Sequence, residues 1–169
     1  MSGGKYEREL KSIMQGEDLD DHTKTLPENK EEIYRKTEDK PFLVSRGAGS
    51  FDIDLILMRG KYYFPTEVKS SKDEIKYFSD DPRLTEQVED YIETSRKCDL
   101  PILYARRMKG VRGEKWEIYR IRTDATRKRC WTIPSIPQTR NGTRKLEWGQ
   151  GLPLSTFLDI IYRNEEEQG

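Results

Sequence analysis

Asp54 and Glu67, with Lys69 two residues on, stand where simple strand geometry would gather them at one end of a hairpin. Residues 51–58 and 62–69 are rich in β-branched, aromatic and aliphatic side chains, and Gly60 and Lys61 between them suit a two-residue turn. If Arg59 pairs with Tyr62, the antiparallel register sets Leu55 opposite Thr66, Asp54 opposite Glu67, Ile53 opposite Val68 and Asp52 opposite Lys69. Side chains alternate with period two, so Ile53, Leu55, Leu57, Phe64, Thr66 and Val68 form one mostly apolar face, and Asp52, Asp54, Glu67 and Lys69 collect on the other. Directly opposed residues have Cβ atoms roughly 5 Å apart, so Asp54 and Glu67 would repel unless a positive charge lay between them. A divalent cation fits that position. Magnesium takes a few carboxylate and carbonyl oxygens and keeps waters. Lys69 could orient the attacking water or steady the charge growing on a phosphate.

A Glu-x-Lys on a strand is by itself an ordinary solvated face. The clustering of Asp, Glu and Lys at one end of an otherwise apolar hairpin is what separates this stretch from the rest of the chain. Pro65 complicates the register, because a proline in a strand favours an edge or a bulge, and a bulge would shift the pairing by one.

The surrounding elements follow from pattern. A helix is expected near residues 4–14. Another is expected over 82–97, where Asp81 can cap, Pro82 takes the first position, and Leu84, Val88, Tyr91, Ile92 and Ser95 share a face. Strands are expected over 102–105 and 115–121, then an irregular basic segment and a closing helix. The fold class is therefore α/β, a mixed central sheet flanked by helices, in one domain spanning residues 1–169. Residues 15–40 read as a polar insertion or extended connection, and 163–169 as an acidic, disordered tail.

Charge is balanced, with 31 basic and 31 acidic residues, but lopsided along the chain. Residues 101–150 hold 13 Lys or Arg against 4 Asp or Glu. Arg106, Arg107, Lys109, Arg112 and Lys115 read as a basic hairpin loop, and Arg127, Lys128 and Arg129 as a second cluster, suited to backbone phosphates. Cys98 and Cys130 are too few and too far apart for a zinc or iron–sulfur cluster, and His22 is the lone histidine. No run reaches the length of a membrane span, no signal peptide is expected and no phosphate loop is present, so a cytoplasmic protein using no nucleotide cofactor is expected.

The residues Arg46-Gly47-Ala48-Gly49-Ser50, Ile53-Asp54-Leu55-Ile56 and Glu67-Val68-Lys69-Ser70 resemble the core of the archaeal-type Holliday junction resolvases (the Hjc family), within the PD-(D/E)xK nuclease superfamily. Tyr6-Glu7-Arg8-Glu9-Leu10 is similar to that family's first helix, whose catalytic glutamate would map to Glu7, and Arg46 sits where the family has an arginine before the catalytic strand. The resemblance covers most of the chain and implies a restriction-endonuclease-like nuclease core. It departs at Ile53, where the superfamily has proline, and in the long connection from the first helix to Arg46. The first helix could instead be residues 31–36, or 16–27 could be inserted. Asp52 competes with Asp54 as the metal ligand, and the register favours Asp54.

The resemblance implies a structure-selective, metal-dependent endodeoxyribonuclease, a phosphodiester hydrolase that resolves four-way DNA junctions by paired symmetric nicks. Its expected catalytic residues are Glu7, Asp54, Glu67 and Lys69. Asp54, Glu67, the Val68 carbonyl and Glu7 would hold magnesium, with manganese as a substitute. Arg8, Arg46, Ser50, Ser70, Lys72, Arg106, Arg107, Lys109 and Arg112 are the expected DNA contacts. Gln87 joins as a candidate because a Gln-x-x-x-Tyr on this helix reaches the active site in some relatives. Paired nicks imply a homodimer. The alternatives are a restriction-type or RecB-type nuclease acting on duplex or single-stranded ends, and a catalytically inactive DNA-binding module.

Overall fold

Gly60 adopts φ 55°, the left-handed conformation that lets a tight turn join two strands, and the hairpin around it organises the sheet. In the computed structural model, which describes residues 3–47, 53–121 and 132–168, strand β2 (Leu55–Arg59) and strand β3 (Tyr62–Ser71) pair antiparallel from Leu55↔Thr66 to Arg59↔Tyr62. This is the expected register. Pro65 pairs with Ile56 and introduces no bulge.

Strand β1 (Leu43–Arg46) adds antiparallel to β2. After β3 the chain makes a short strand β4 (Ile75–Tyr77) and helix α4 (Pro82–Cys98), and α4 carries it across to β5 (Leu103–Met108), which lies parallel to β3. A parallel neighbour needs such a crossover. Strand β6 (Trp116–Arg120) returns antiparallel, β7 (Lys145–Glu147) pairs with β4 in a separate ribbon, and β8 (Leu152–Pro153) closes the main sheet against β6. The six-stranded order is β1-β2-β3-β5-β6-β8, a mixed sheet.

Helices cover both faces. Helix α1 (Gly3–Met14), α3 (Glu28–Asp39) and α5 (Leu154–Gln168) bury Tyr6, Leu10, Tyr34, Phe157 and Leu158 against Leu55, Leu57, Phe64 and Val68. On the other face α4 sets Leu84, Val88, Tyr91 and Ile92 against Ile53, Ile102, Tyr104 and Ile121. All five residues expected on the inner face of α4 are buried, and Asp81 accepts a hydrogen bond from the Arg83 N–H at 3.0 Å as its cap.

Three expectations are corrected. Residues 15–40 form a short helix α2 (Leu19–His22) and α3, because Leu19, Tyr34 and Thr37 reach the core despite the surrounding charge. Residues 163–168 continue α5; the Arg59 guanidinium holds Glu165 through two hydrogen bonds of 2.6 and 3.0 Å, and this tethers the acidic end. Ile53, expected on the face of Leu55, packs instead with Phe78 and Val88 under α4. The reason lies at the end of the ladder.

Candidate active site

Beyond Leu55↔Thr66 the next bonded pair would be Ile53 with Val68. Asp54 takes that place: its Oδ2 accepts the Val68 N–H at 2.8 Å. A side chain has replaced a backbone partner, so the chain swerves and Ile53 turns to the opposite core. The swerve needs Gly47, whose N–H donates to the Asp54 carbonyl at 3.0 Å while a Cβ there would lie 1.7 Å from the Ile53 carbonyl oxygen. Only a residue without a side chain fits so close. The Val68 carbonyl projects from the same strand edge as its N–H, toward Asp54.

Glu67 is 2% exposed. Its Oε1 meets Lys69 Nζ at 3.0 Å and accepts a long bond from Gln87 Nε2 at 3.4 Å; its Oε2 accepts from the Tyr91 hydroxyl at 2.9 Å. Burial, and then the charge of Asp54, raise its pKa from 4.5 to about 7, against the pull of Lys69 and Tyr91. Glu7 on α1 is raised as well, first by burial and then by the Asp54 carboxylate beside it, opposed by Arg46, whose Nη2 is 4.0 Å away, and by Arg8. Two carboxyls thus resist ionisation around a third. Repulsion of this kind is relieved when a cation enters.

A cavity of about 260 Å³ lies among these groups, lined by Tyr6, Glu7, Asp54, Glu67, Val68, Lys69 and Ser70. Its donors are carboxylate and carbonyl oxygens, the set a hard cation prefers. Among the described residues no three acidic, His or Cys side chains already form a closed cation cage, and Lys69 occupies Glu67 Oε1. Loading magnesium would therefore ask Lys69 to release that oxygen, a movement of one flexible side chain.

The structure brings Glu7, Asp54, Glu67, Lys69, Val68, Ser70 and Gln87 to one place. Asp52 and Ser50 lie outside the described residues, as do Cys130 and the cluster at 127–129. Arg8, Lys72 and Arg112 are exposed and Arg46 is about half exposed. Arg106 is corrected. It is 1% exposed, on strand β5 where a loop was expected, and its guanidinium donates to the backbone carbonyls of Asp73 and Glu74. Arg107 is corrected too, since it grips both Glu9 oxygens at 2.9 and 3.1 Å and lies 4.9 Å from the Tyr6 ring centre. Both guanidiniums are committed inside the fold. Tyr91 joins the site from a position read as core; its spacing of four from Gln87 was the available signal. Tyr6 joins through the cavity wall.

No family model matches the chain, and no curated protein matches its sequence. Among solved structures it is similar to Hjc, a Holliday junction resolvase from Archaeoglobus fulgidus, an archaeal hyperthermophile. The TM-score is 0.57 at 16% identity, covering 94% of this chain and 97% of that one. The two share the fold, a mixed sheet flanked by helices. No helix among the described residues is long and apolar enough to cross a membrane.

Proposed function

We propose that the protein is a metal-dependent endodeoxyribonuclease that resolves four-way DNA junctions by paired symmetric nicks. The observation that carries this reading is the convergence of Glu7, Asp54, Glu67 and Lys69 on one cavity, at the end of the sheet in a fold shared with a junction resolvase. Magnesium, or manganese in its place, would be held by Asp54, Glu67 and the Val68 carbonyl with Glu7 beside them, and when bound would supply Lewis acidity to the phosphate and lower the pKa of its water.

The chain's own groups do the rest. Asp54 is pinned by the Val68 N–H, so one carboxylate oxygen stays aimed into the cavity. Tyr91 and Gln87 fix Glu67 from α4. Lys69, once freed from Glu67, presents its ammonium to the attacking water or to the phosphate oxygen on which charge grows. Two nicks on strands of like polarity call for two such sites, hence a two-fold dimer on the junction.

The test is cleavage of an end-labelled immobile four-way junction beside a linear duplex of the same arm sequence, with magnesium and with chelator. Paired symmetric nicks in the junction alone, lost with chelator, are expected. Equal cutting of the duplex would move the activity to a restriction-type or RecB-type nuclease, and binding without cutting of either would leave a DNA-binding module.

A further inference from the structure

The cavity carries three carboxyl groups against one lysine, so without a bound cation it repels a polyanion unless charge is supplied from the wall. The wall on the α1 side supplies it. Tyr6 lines the cavity, is 8% exposed, and has three cations over its ring: Arg107 at 4.9 Å, Lys5 at 5.5 Å and Lys109 at 5.5 Å from the ring centre. The three are not equivalent. Arg107 is neutralised by its two bonds to Glu9 while it lies against the ring. Among the described residues, neither Lys5 nor Lys109 makes an ion pair, and the ring is the contact each ammonium has. An exposed cation–π contact is worth only about 0.5–1 kcal/mol, so it orients an ammonium without consuming its charge.

Their backbone positions are set independently. The Lys109 N–H donates to the Ser71 carbonyl at 2.8 Å, which ties it to the end of β3, one residue beyond the cavity-lining Ser70. Lys5 precedes Tyr6 and Glu7 on α1. Two unneutralised ammoniums thus stand on one rigid aromatic, on two elements that both border the carboxylate cavity.

We propose that Lys5 and Lys109, seated on Tyr6, form a binding subsite for a backbone phosphate of the nucleic-acid strand entering the cavity. This rests on the nuclease reading and adds where the strand lies. It passes over the α1 wall, between α1 and the β5–β6 turn, and the phosphate is held by charge without reading of base sequence. Arg107 serves as a positioning residue for Tyr6.

The test is the salt dependence of junction binding, in chelator so that cleavage plays no part. Wild type is compared with Lys5→Met, Lys109→Met, the double variant, and Lys97→Met as a control whose lysine pairs with Glu93 on the outside of α4. Each phosphate neutralised contributes about one to the slope of log affinity against log salt, so the double variant, which empties the one subsite, should lose about one, and the control nothing. The loss should be equal on junctions of different arm sequence, because a phosphate carries no sequence. Thermal midpoints of all variants are recorded, and a change in slope at unchanged midpoint separates phosphate contact from ring packing. An unchanged slope in the double variant overturns the subsite even if wild type cleaves junctions. A reduced slope in a protein that cleaves nothing supports the subsite and sinks the nuclease reading. No nucleic-acid binding by wild type overturns both.

Discussion

Glu67 and Glu117 are both buried glutamates on the α4 face of the sheet, and burial raises the pKa of each, yet their surroundings are opposite. Glu117 on β6 accepts the Gly149 N–H at 2.6 Å, lies 3.3 Å from the Tyr119 hydroxyl, and faces Arg106 across the β5–β6 pairing. Those partners all pull its pKa down. Glu67 has Lys69, Tyr91 and Gln87, but it also faces a second carboxylate, Asp54, with Glu7 beyond and an open cavity between. One charge is enclosed by partners; the other is left partly opposed. The enclosed charge is matched within the fold, and the opposed one is the kind of group whose repulsion a bound cation would relieve.

The largest test of this contrast is on activity. Asp54→Asn or Glu67→Gln should lower junction cleavage by about 1,000-fold with junction binding retained, whereas Glu117→Gln should leave the cleavage rate per folded molecule within about 3-fold. Quantified gels on protein of matched folded fraction decide it. Wild-type cleavage in Glu67→Gln would remove the cavity from the mechanism.

Stability should reverse the ranking. Arg106→Met should destabilise by about 2–3 kcal/mol in denaturant titration, because it leaves the buried Asp73 and Glu74 carbonyls without the guanidinium that ties them down. A loss under about 1 kcal/mol would show that the Asp73 and Glu74 carbonyls do not depend on the buried arginine.

Glu67→Gln should instead stabilise the cation-free protein at pH 8. The folded pKa of about 7 exceeds the ordinary 4.5, so between those values the folded state holds more protons than the unfolded one. The contribution of Glu67 is therefore fully present below pH 4.5 and is lost as pH rises through 7. The glutamine variant escapes that loss and should gain about 1–3 kcal/mol at pH 8 in chelator, and nothing at pH 4. Equal effects at the two pH values would contradict the opposed-charge description.

The smallest effect is at Tyr91. Its hydrogen bond lowers the Glu67 pKa, so Tyr91→Phe should move the acid limb of the cleavage profile upward by about half a pH unit and lower the rate at pH 7 by less than about 10-fold. An unmoved limb would return Tyr91 to plain helix packing.

The hairpin was legible in the sequence because strand period and turn length together dictate register, and register alone opposes Asp54 to Glu67. Helix α4 was legible to within one residue, from its cap and its apolar spacing. What sequence pattern missed has physical reasons. Ile53 follows strand alternation on paper, but the Asp54 side chain breaks the ladder before it. Arg106 and Arg107 count as surface charge in any tally of composition, and only the folded chain reveals the carbonyls and the glutamate that receive them. Helix α3 buries little beyond Tyr34 and Thr37, too sparse a stripe to stand out among its charges. Tyr91 sits on the apolar stripe of α4 while its hydroxyl reaches past the stripe to Glu67; periodicity sees the ring and not the hydroxyl.

If the Glu7–Asp54–Glu67 cavity holds a divalent cation, thermal unfolding at pH 8 with and without magnesium will register it without any choice of DNA. A ligand that binds only the folded state raises the midpoint by mass action. Wild type should gain several degrees with millimolar magnesium, and Glu67→Gln and Asp54→Asn should gain little. No shift in wild type, or the same shift in all three, would contradict the account.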